Sequence, residues 1–317
     1  MGIEVRRVED IRPPSDDCPV TLKQMGDNIF EVRFILREQG GTIQKLNAEE
    51  YVDLSTGEVK QFEHTAETRA DNLTTVRQSL RDLRDIINCN INDSERCIWL
   101  TLTYRENMRD PARLYADMDK FTKRMRYYLK NNGMPDMEYI YCIEPQARGA
   151  FHAHCVLIFD SEKAPFIHND IMARIWQHGF TKTQSLKGVN NPGLYLTAYL
   201  ADIDFKQAIR LGVDGNVVKE LSITDEDGKP IKKAVLKGAR LRLYPAGMRI
   251  FRVSRGIKRP VVTRTTEGEA MKIIGDAPLT FERTIRVGDE ESIFNTINYR
   301  HFNRKGKPKD DDTLPPL

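Results

Sequence analysis

One stretch, Tyr139 to Phe159, constrains the fold more than any other. Tyr139 to Glu144 reads as a strand, Pro145 to Gly149 as a turn and Phe151 to Phe159 as the returning strand. Period-two patterning on either side of a short Pro- and Gly-bearing connection specifies an antiparallel hairpin. Within such a hairpin, side chains at i and i+2 share a face, with Cα atoms roughly 6.5–7 Å apart. His152 and His154 are such a pair. Glu144 ends the outgoing strand, and the turn returns the chain beside it at His152, as cross-strand neighbours.

Two imidazoles and one carboxylate on one face can hold a divalent cation and leave positions open. Mixed N/O ligation of this kind suits octahedral Mn²⁺ or Mg²⁺. H-x-H spacing is generic by itself. The competing reading makes the histidines structural and pairs Glu144 with Arg148.

The flanking segments are patterned as clearly. Cys97 to Tyr104 alternates, with Ile98, Leu100 and Leu102 on one face and Trp99, Thr101 and Thr103 on the other. Leu73, Val76, Leu80, Leu83 and Ile87 recur at spacings of three and four, predicting an amphipathic helix over 71–88. Asp110-Pro111 is a helix start, an acid to cap free N–H groups followed by a first-turn proline. The helix it opens runs to about Asn131 on the stripe Leu114, Met118, Phe121, Met125 and Tyr128. Asn28 to Leu36 and Tyr51 to Val59 read as strands, and Asn169 to Gln177 as a short helix. Asn191-Pro192 repeats the cap-and-proline signature and predicts a helix to about Phe205. Gly212 to Gly228 is turn-rich and acidic. These patterns predict residues 1–92 as an N-terminal accessory region and 93–264 as the main domain, with a polar insertion about 207–230. Residues 265–317 remain as an extension whose tail is disordered from about 305.

Net charge is only +3, yet it is unevenly distributed. Between Lys229 and Arg264 stand twelve Lys/Arg and no acid, which leaves −9 for the rest of the chain. Residues 1–90 carry twelve basic against seventeen acidic residues. The basic block alternates with apolar residues in Arg240-Leu241-Arg242-Leu243 and again in Arg249-Ile250-Phe251-Arg252-Val253. Period two predicts strands with one basic face, suited to a phosphate backbone. The other reading pairs these arginines with the acidic N-terminal part.

Several classes fall away. No apolar run approaches a membrane span of roughly 18–20 residues. Met1 to Arg7 lacks the apolar core of a signal peptide. Five cysteines without a C-x-x-C pair argue for reduced thiols, so a cytoplasmic protein is expected. There is no G-x-x-x-x-G-K-[ST], G-x-S-x-G or H-E-x-x-H motif.

On the predicted Pro192 helix, Tyr195 and Tyr199 share a face. Leu196, Leu200 and Ile203 form a separate stripe, and Asp202 and Lys206 fall with the tyrosines. A metal site, paired tyrosines and a basic face together fit phosphodiester transesterification, with tyrosine as nucleophile.

In this order, Leu100-Thr101-Leu102-Thr103-Tyr104, then Glu144 to His154, then Gly193-Leu194-Tyr195-Leu196-Thr197-Ala198-Tyr199 resembles the HUH endonucleases. The similarity is greatest to rolling-circle replication initiators of bacterial plasmids, integrative elements and phages. Trp176-Gln177-His178-Gly179-Phe180 and Ser254 to Pro260 look like that group too. The resemblance covers about Cys97 to Pro260. It implies an α+β fold: a five-stranded antiparallel sheet (an RRM- or ferredoxin-like palm) with packed helices. To this the composition adds a smaller N-terminal α/β extension. It implies that His152, His154 and Glu144 bind Mg²⁺ or Mn²⁺, and that a tyrosine attacks single-stranded, hairpin-presented origin DNA. The product would be a 5′-phosphotyrosyl adduct with a free 3′-OH. Many relatives carry Lys just before the second Tyr and again three residues after it. Ala198 and Asp202 stand there in this chain, and Lys206, Lys182 or Lys187 is the expected replacement.

Expected DNA contacts are Thr101, Thr103, Arg148, Lys182, Arg240, Arg242, Arg249, Arg252, Arg255 and Lys258. Without a P-loop, unwinding falls to a separate helicase and synthesis to a polymerase, both supplied by a bacterial host. A mobilisation relaxase or tyrosine transposase shares the chemistry. A non-catalytic origin-binding protein keeps only the basic block, and a metal hydrolase that ignores DNA leaves that block unexplained.

Overall fold

The computed structural model describes residues 4–8, 11–37, 40–63, 65–146, 148–186, 203–204, 218–224, 230–236, 239–288 and 293–305. The first strands are β1 (Glu4–Val8), β2 (Pro19–Met25), β3 (Ile29–Ile35), β4 (Ile43–Lys45), β5 (Glu50–Asp53) and β6 (Val59–Gln61). Helix α1 (Leu73–Asn90), β7 (Cys97–Thr103), α2 (Pro111–Asn131), β8 (Met137–Pro145), β9 (Phe151–Phe159), α3 (Asn169–Trp176) and β10 (Thr181–Ser185) follow. Then come β11 (Ile203–Asp204), β12 (Val218–Thr224), β13 (Pro230–Leu236), β14 (Phe251–Val253) and β15 (Val261–Thr266). The last elements are α4 (Glu267–Ile274), β16 (Leu279–Gly288) and β17 (Ile293–Asn303). The α+β class with a central antiparallel sheet is as expected.

The chain forms two compact units, Ala66–Arg259 and Met1–Thr65 with Pro260–Leu317. In the first, five antiparallel strands lie in the order β10-β7-β9-β8-β14. Alternation sorts their side chains as the sequence predicts. Leu100, Leu102, Ala153 and Cys155 are buried, whereas Thr101, Thr103, His152 and His154 on the other face are only half-buried. The Asp110 carboxylate accepts from Ala112 N and Arg113 N at the start of α2, and Pro111 stands in its first turn. Leu114, Met118, Phe121, Met125 and Leu129 then form its buried stripe. Arg252 stacks 3.6 Å over the Tyr115 ring of α2, which places this helix on the sheet face opposite the histidines.

Four expectations change. Val76, Leu83, Ile86 and Ile87 of α1 join the same core as Leu100 and Leu157, so the helix lies within the histidine-bearing unit, not in a separate N-terminal region. Residues 260–317 share a unit with residues 1–65 instead of forming an extension. Arg240 to Leu243 lies in a short 3₁₀ helix, not a strand, with Leu241 and Tyr244 buried. The expected polar insertion contains β12, paired with β13 from Thr224↔Pro230 to Val218↔Leu236. Ile203–Asp204, the expected end of the Pro192 helix, is a strand beside Leu236 and Val235. Strand pairing there overrides the helical pattern. The rest of that helix, with Tyr195, Tyr199 and Lys206, lies outside the described residues, as do Lys187 and the tail from 306.

The second unit carries a six-stranded antiparallel sheet, β1-β16-β17-β3-β2-β15, and a three-stranded one, β4-β5-β6. Val20, Leu22, Val32, Phe34 and Phe302 pack with Ala270 and Ile274 of α4 on one face. On that side Arg300 donates to both Glu267 oxygens at 2.6 Å.

Candidate metal centre

The β8–β9 register sets Glu144 directly opposite His152, and β7 sets Thr103 opposite His152 and Thr101 opposite His154. The three ligand atoms, one each from Glu144, His152 and His154, lie within 4.8 Å of one another. His154 Nε2 hydrogen-bonds Glu144 Oε2 at 2.6 Å. His152 Nε2 is 3.1 Å from the same oxygen, but without hydrogen-bond alignment, and it is otherwise unpartnered and buried.

The reverse sides of both rings are held. Thr101 Oγ1 lies 3.2 Å from His154 Nδ1, and the Gln146 amide lies 3.2 Å from His152 Nδ1. With its NH₂ toward Nδ1, Gln146 donates and His152 carries its own proton on Nε2. Turning the amide by 180° would present Oε1 to an Nδ1–H and leave the Nε2 lone pair for a cation, at the cost of the Arg148 bond to Gln146 Oε1. Arg148, exposed, donates to Gln146 Oε1 at 2.9 Å. It therefore touches the site through Gln146 and does not pair with Glu144. Trp99 packs beside His154, with ring centroids 5.2 Å apart.

Arg240 is the residue that sequence reasoning misassigned. It was expected at a DNA phosphate, but it is 7 % exposed. Its Nη1 donates to Glu144 Oε1 and to Pro145 O, both at 2.6 Å. Burial opposes ionisation of Glu144, but the histidine contacts and the Arg240 charge outweigh it and hold the carboxyl well below the usual range. Burial also depresses the pKa of His152, more than the carboxylate raises it. The pocket therefore presents a neutral His152 and an ionised carboxylate, the protonation states a divalent cation requires. With His152 Nε2 unpartnered 3.1 Å from that carboxylate, the donor set is one that can hold a metal ion. Metal-binding histidines are usually oriented through the other ring nitrogen, the position that Thr101 and Gln146 occupy on these rings.

The Trp176 to Phe180 motif proves to brace the sheet. Trp176 Nε1 donates to Thr103 O at 3.1 Å, Arg105 N to His178 O and Thr103 N to Phe180 O, both at 2.9 Å. A Cβ on Gly179 would sit 2.5 Å from Thr103 O and 2.6 Å from Arg105 N, so only glycine fits. Lys182, Arg242, Arg249, Arg255 and Lys258 are exposed, whereas Arg252 is half-buried on Tyr115. Asn90 of α1 binds Lys258 through both its backbone N–H and its C=O.

Residues 97–204 match the family model for Replication-associated protein ORF2/G2P, about a third of the chain. The span runs from the first residue of β7 through Glu144, His152 and His154. The match supports a protein of the replication-initiator type with DNA as partner. No curated protein and no solved structure matches the chain. Among the described residues, no helix is long and apolar enough to cross a membrane.

Proposed function

We propose that this chain is an HUH-type initiator of rolling-circle DNA replication, which nicks single-stranded origin DNA and transfers the strand through a phosphotyrosyl intermediate. The observation that carries the reading is the convergence of Glu144, His152 and His154 on one half-open sheet face, within the span that matches a replication-associated family.

Glu144, His152 and His154 would hold the Mn²⁺ or Mg²⁺. When bound, such an ion supplies Lewis-acid polarisation of the scissile phosphate. The chain does the rest. Arg240 keeps the Glu144 carboxylate ionised and aligned. Thr101 and Gln146 fix the imidazole rings. Tyr195 or Tyr199 forms a bond to phosphorus as the bond to the 3′-oxygen breaks, leaving a 5′-phosphotyrosyl enzyme and a 3′-OH primer. Lys206 is the cation assigned to lower the tyrosine pKa. Arg242, Arg249, Arg255, Lys258 and Lys182 contact flanking phosphates. The nuclease occupies the Ala66–Arg259 unit. It works in a bacterial cytoplasm with a separate helicase and polymerase.

The test is a covalent-adduct assay. Single-stranded segments of the replicon, labelled 3′ of possible nick sites, are incubated with protein in Mn²⁺ or EDTA and run on denaturing gels. The expected result is a metal-dependent labelled protein band that disappears with Tyr195→Phe or Tyr199→Phe. Tight DNA binding without an adduct on any segment would leave a non-catalytic origin-binding protein instead.

A further inference from the structure

The six-stranded sheet carries a row of arginines around a tyrosine. The strand registers Arg264↔Thr21, Thr21↔Arg33, Arg33↔Tyr299 and Tyr299↔Arg283 join into a single row across five strands. At roughly 4.8 Å per strand, this row is about 19 Å long. Its face follows from alternation. Val20, Leu22, Val32 and Phe34 point to the α4 side, so Thr21 and Arg33 point away from it. Asn298 and Arg300 flank Tyr299, and Glu282 and Thr284 flank Arg283, and all four flanking residues are buried. The row therefore lies on the face that α4 does not cover, where Arg264 is exposed and Arg33, Tyr299 and Arg283 are half-buried.

Charge on this face is one-sided. In the next row, Val262, Lys23, Glu31, His301 and Phe281 stand side by side. Glu31 is the acid there, and it is already held by Lys23 at 3.1 Å and His301 at 3.0 Å. Among the described residues, Arg33 and Arg283 have no carboxylate partner, and the Nε of each is buried without a hydrogen bond. Tyr299 stands between Arg33 and Arg283 in the row. Cations spaced along a line with an aromatic ring between them match a single-stranded nucleic acid, whose phosphates repeat along the backbone and whose unpaired bases stack. An acidic peptide would satisfy the arginines but would not need the tyrosine.

We infer that the β15-β2-β3-β17-β16 face binds a nucleic-acid strand, with Arg264, Arg33 and Arg283 on phosphates and Tyr299 under a base. The surface belongs to the other compact unit from Glu144, His152 and His154, so its failure leaves the nicking reading intact, and the reverse holds too.

The test uses the full chain in EDTA and fluorescence anisotropy with a labelled 20-nucleotide mixed-sequence single strand over a salt series. Arg33→Gln with Arg283→Gln is expected to weaken binding about tenfold at 100 mM salt. It should also reduce the log–log salt slope by about 1.4, two phosphates at ~0.7 each. Tyr299→Leu should weaken single-strand binding with the slope unchanged. Lys60→Gln with Lys272→Gln removes the same charge elsewhere on the unit and is the control. Unchanged affinity and slope in the arginine variant, or an equal loss in the control, would overturn the proposal. Photocrosslinking of the unsubstituted chain to bromodeoxyuridine-bearing DNA covers the case of a variant that fails to fold. Adducts mapping to Tyr299 support the surface, and adducts confined to residues 66–259 refute it.

Discussion

Replacing Arg240 with methionine separates two roles for this arginine. As a phosphate contact, its loss would weaken DNA binding and leave stability alone. As a buried partner of Glu144, its loss strands a carboxylate that is 7 % exposed, together with the Pro145 carbonyl. Methionine retains most of the volume, so the dominant cost is a buried carboxylate left with its histidine contacts alone. Removing one member of a buried ion pair costs about 3–5 kcal/mol. In a unit of this size each kcal/mol lowers the melting temperature by about 2–4 °C, so at the lower cost a drop of roughly 6–12 °C is expected in EDTA. Both tryptophans of the chain, Trp99 and Trp176, lie in the Ala66–Arg259 unit, so tryptophan fluorescence reports on its melting alone. Mn²⁺ at a hundredfold excess over its Kd adds about 2.7 kcal/mol, because a cation returns to the same carboxylate. The variant in Mn²⁺ should then melt near the metal-free wild type. A melting temperature within 2 °C of wild type, with a shallower salt dependence of DNA binding, would refute the buried role.

Further outcomes follow from the same geometry. Thr101→Val removes the group 3.2 Å from His154 Nδ1 and should weaken Mn²⁺ binding by about 10–100-fold with little change in melting, measured by calorimetric titration. Gly179→Ala places a methyl group against Thr103 O and Arg105 N and should cost about 2–4 kcal/mol in urea unfolding. The folded-state pKa of His152 is depressed below 6.5, so the unfolded chain binds more protons below that pH and stability falls on acidification. Glu144, depressed below 4.5, adds a second loss as pH falls further toward its folded value. Trp fluorescence melts between pH 8 and 4 should therefore show falling stability below about 6.5. Unchanged melting between pH 6.5 and 4 would contradict both shifts.

What could be read from the sequence was local. The hairpin from Met137 to Phe159, the alternating β7 and the capped α2 carry their information within a few residues. The metal cluster follows directly from strand register, since Glu144 opposite His152 needs only the turn between them. Arg240 was illegible because no local pattern tells a chain that a distant arginine will turn inward. Its alternation with Leu241 even suggested a strand. β16 and β17 escaped for a different reason. Their inward positions hold the buried polar residues Glu282, Thr284, Thr296, Asn298 and Arg300, with Asn298 donating to Glu282 and Thr284 and Arg300 to Glu267, so no apolar residues mark that face. β10, Thr-Lys-Thr-Gln-Ser, is an edge strand without an apolar residue. The tyrosine helix rests on the sequence alone.

The most direct test of the metal centre is a Mn²⁺ titration of the full chain followed by electron paramagnetic resonance, comparing wild type with Glu144→Gln and His152→Ala. The account predicts one tight site in wild type, lost or weakened at least tenfold in each variant. Equal binding by all three proteins, or none by the wild type, would contradict it.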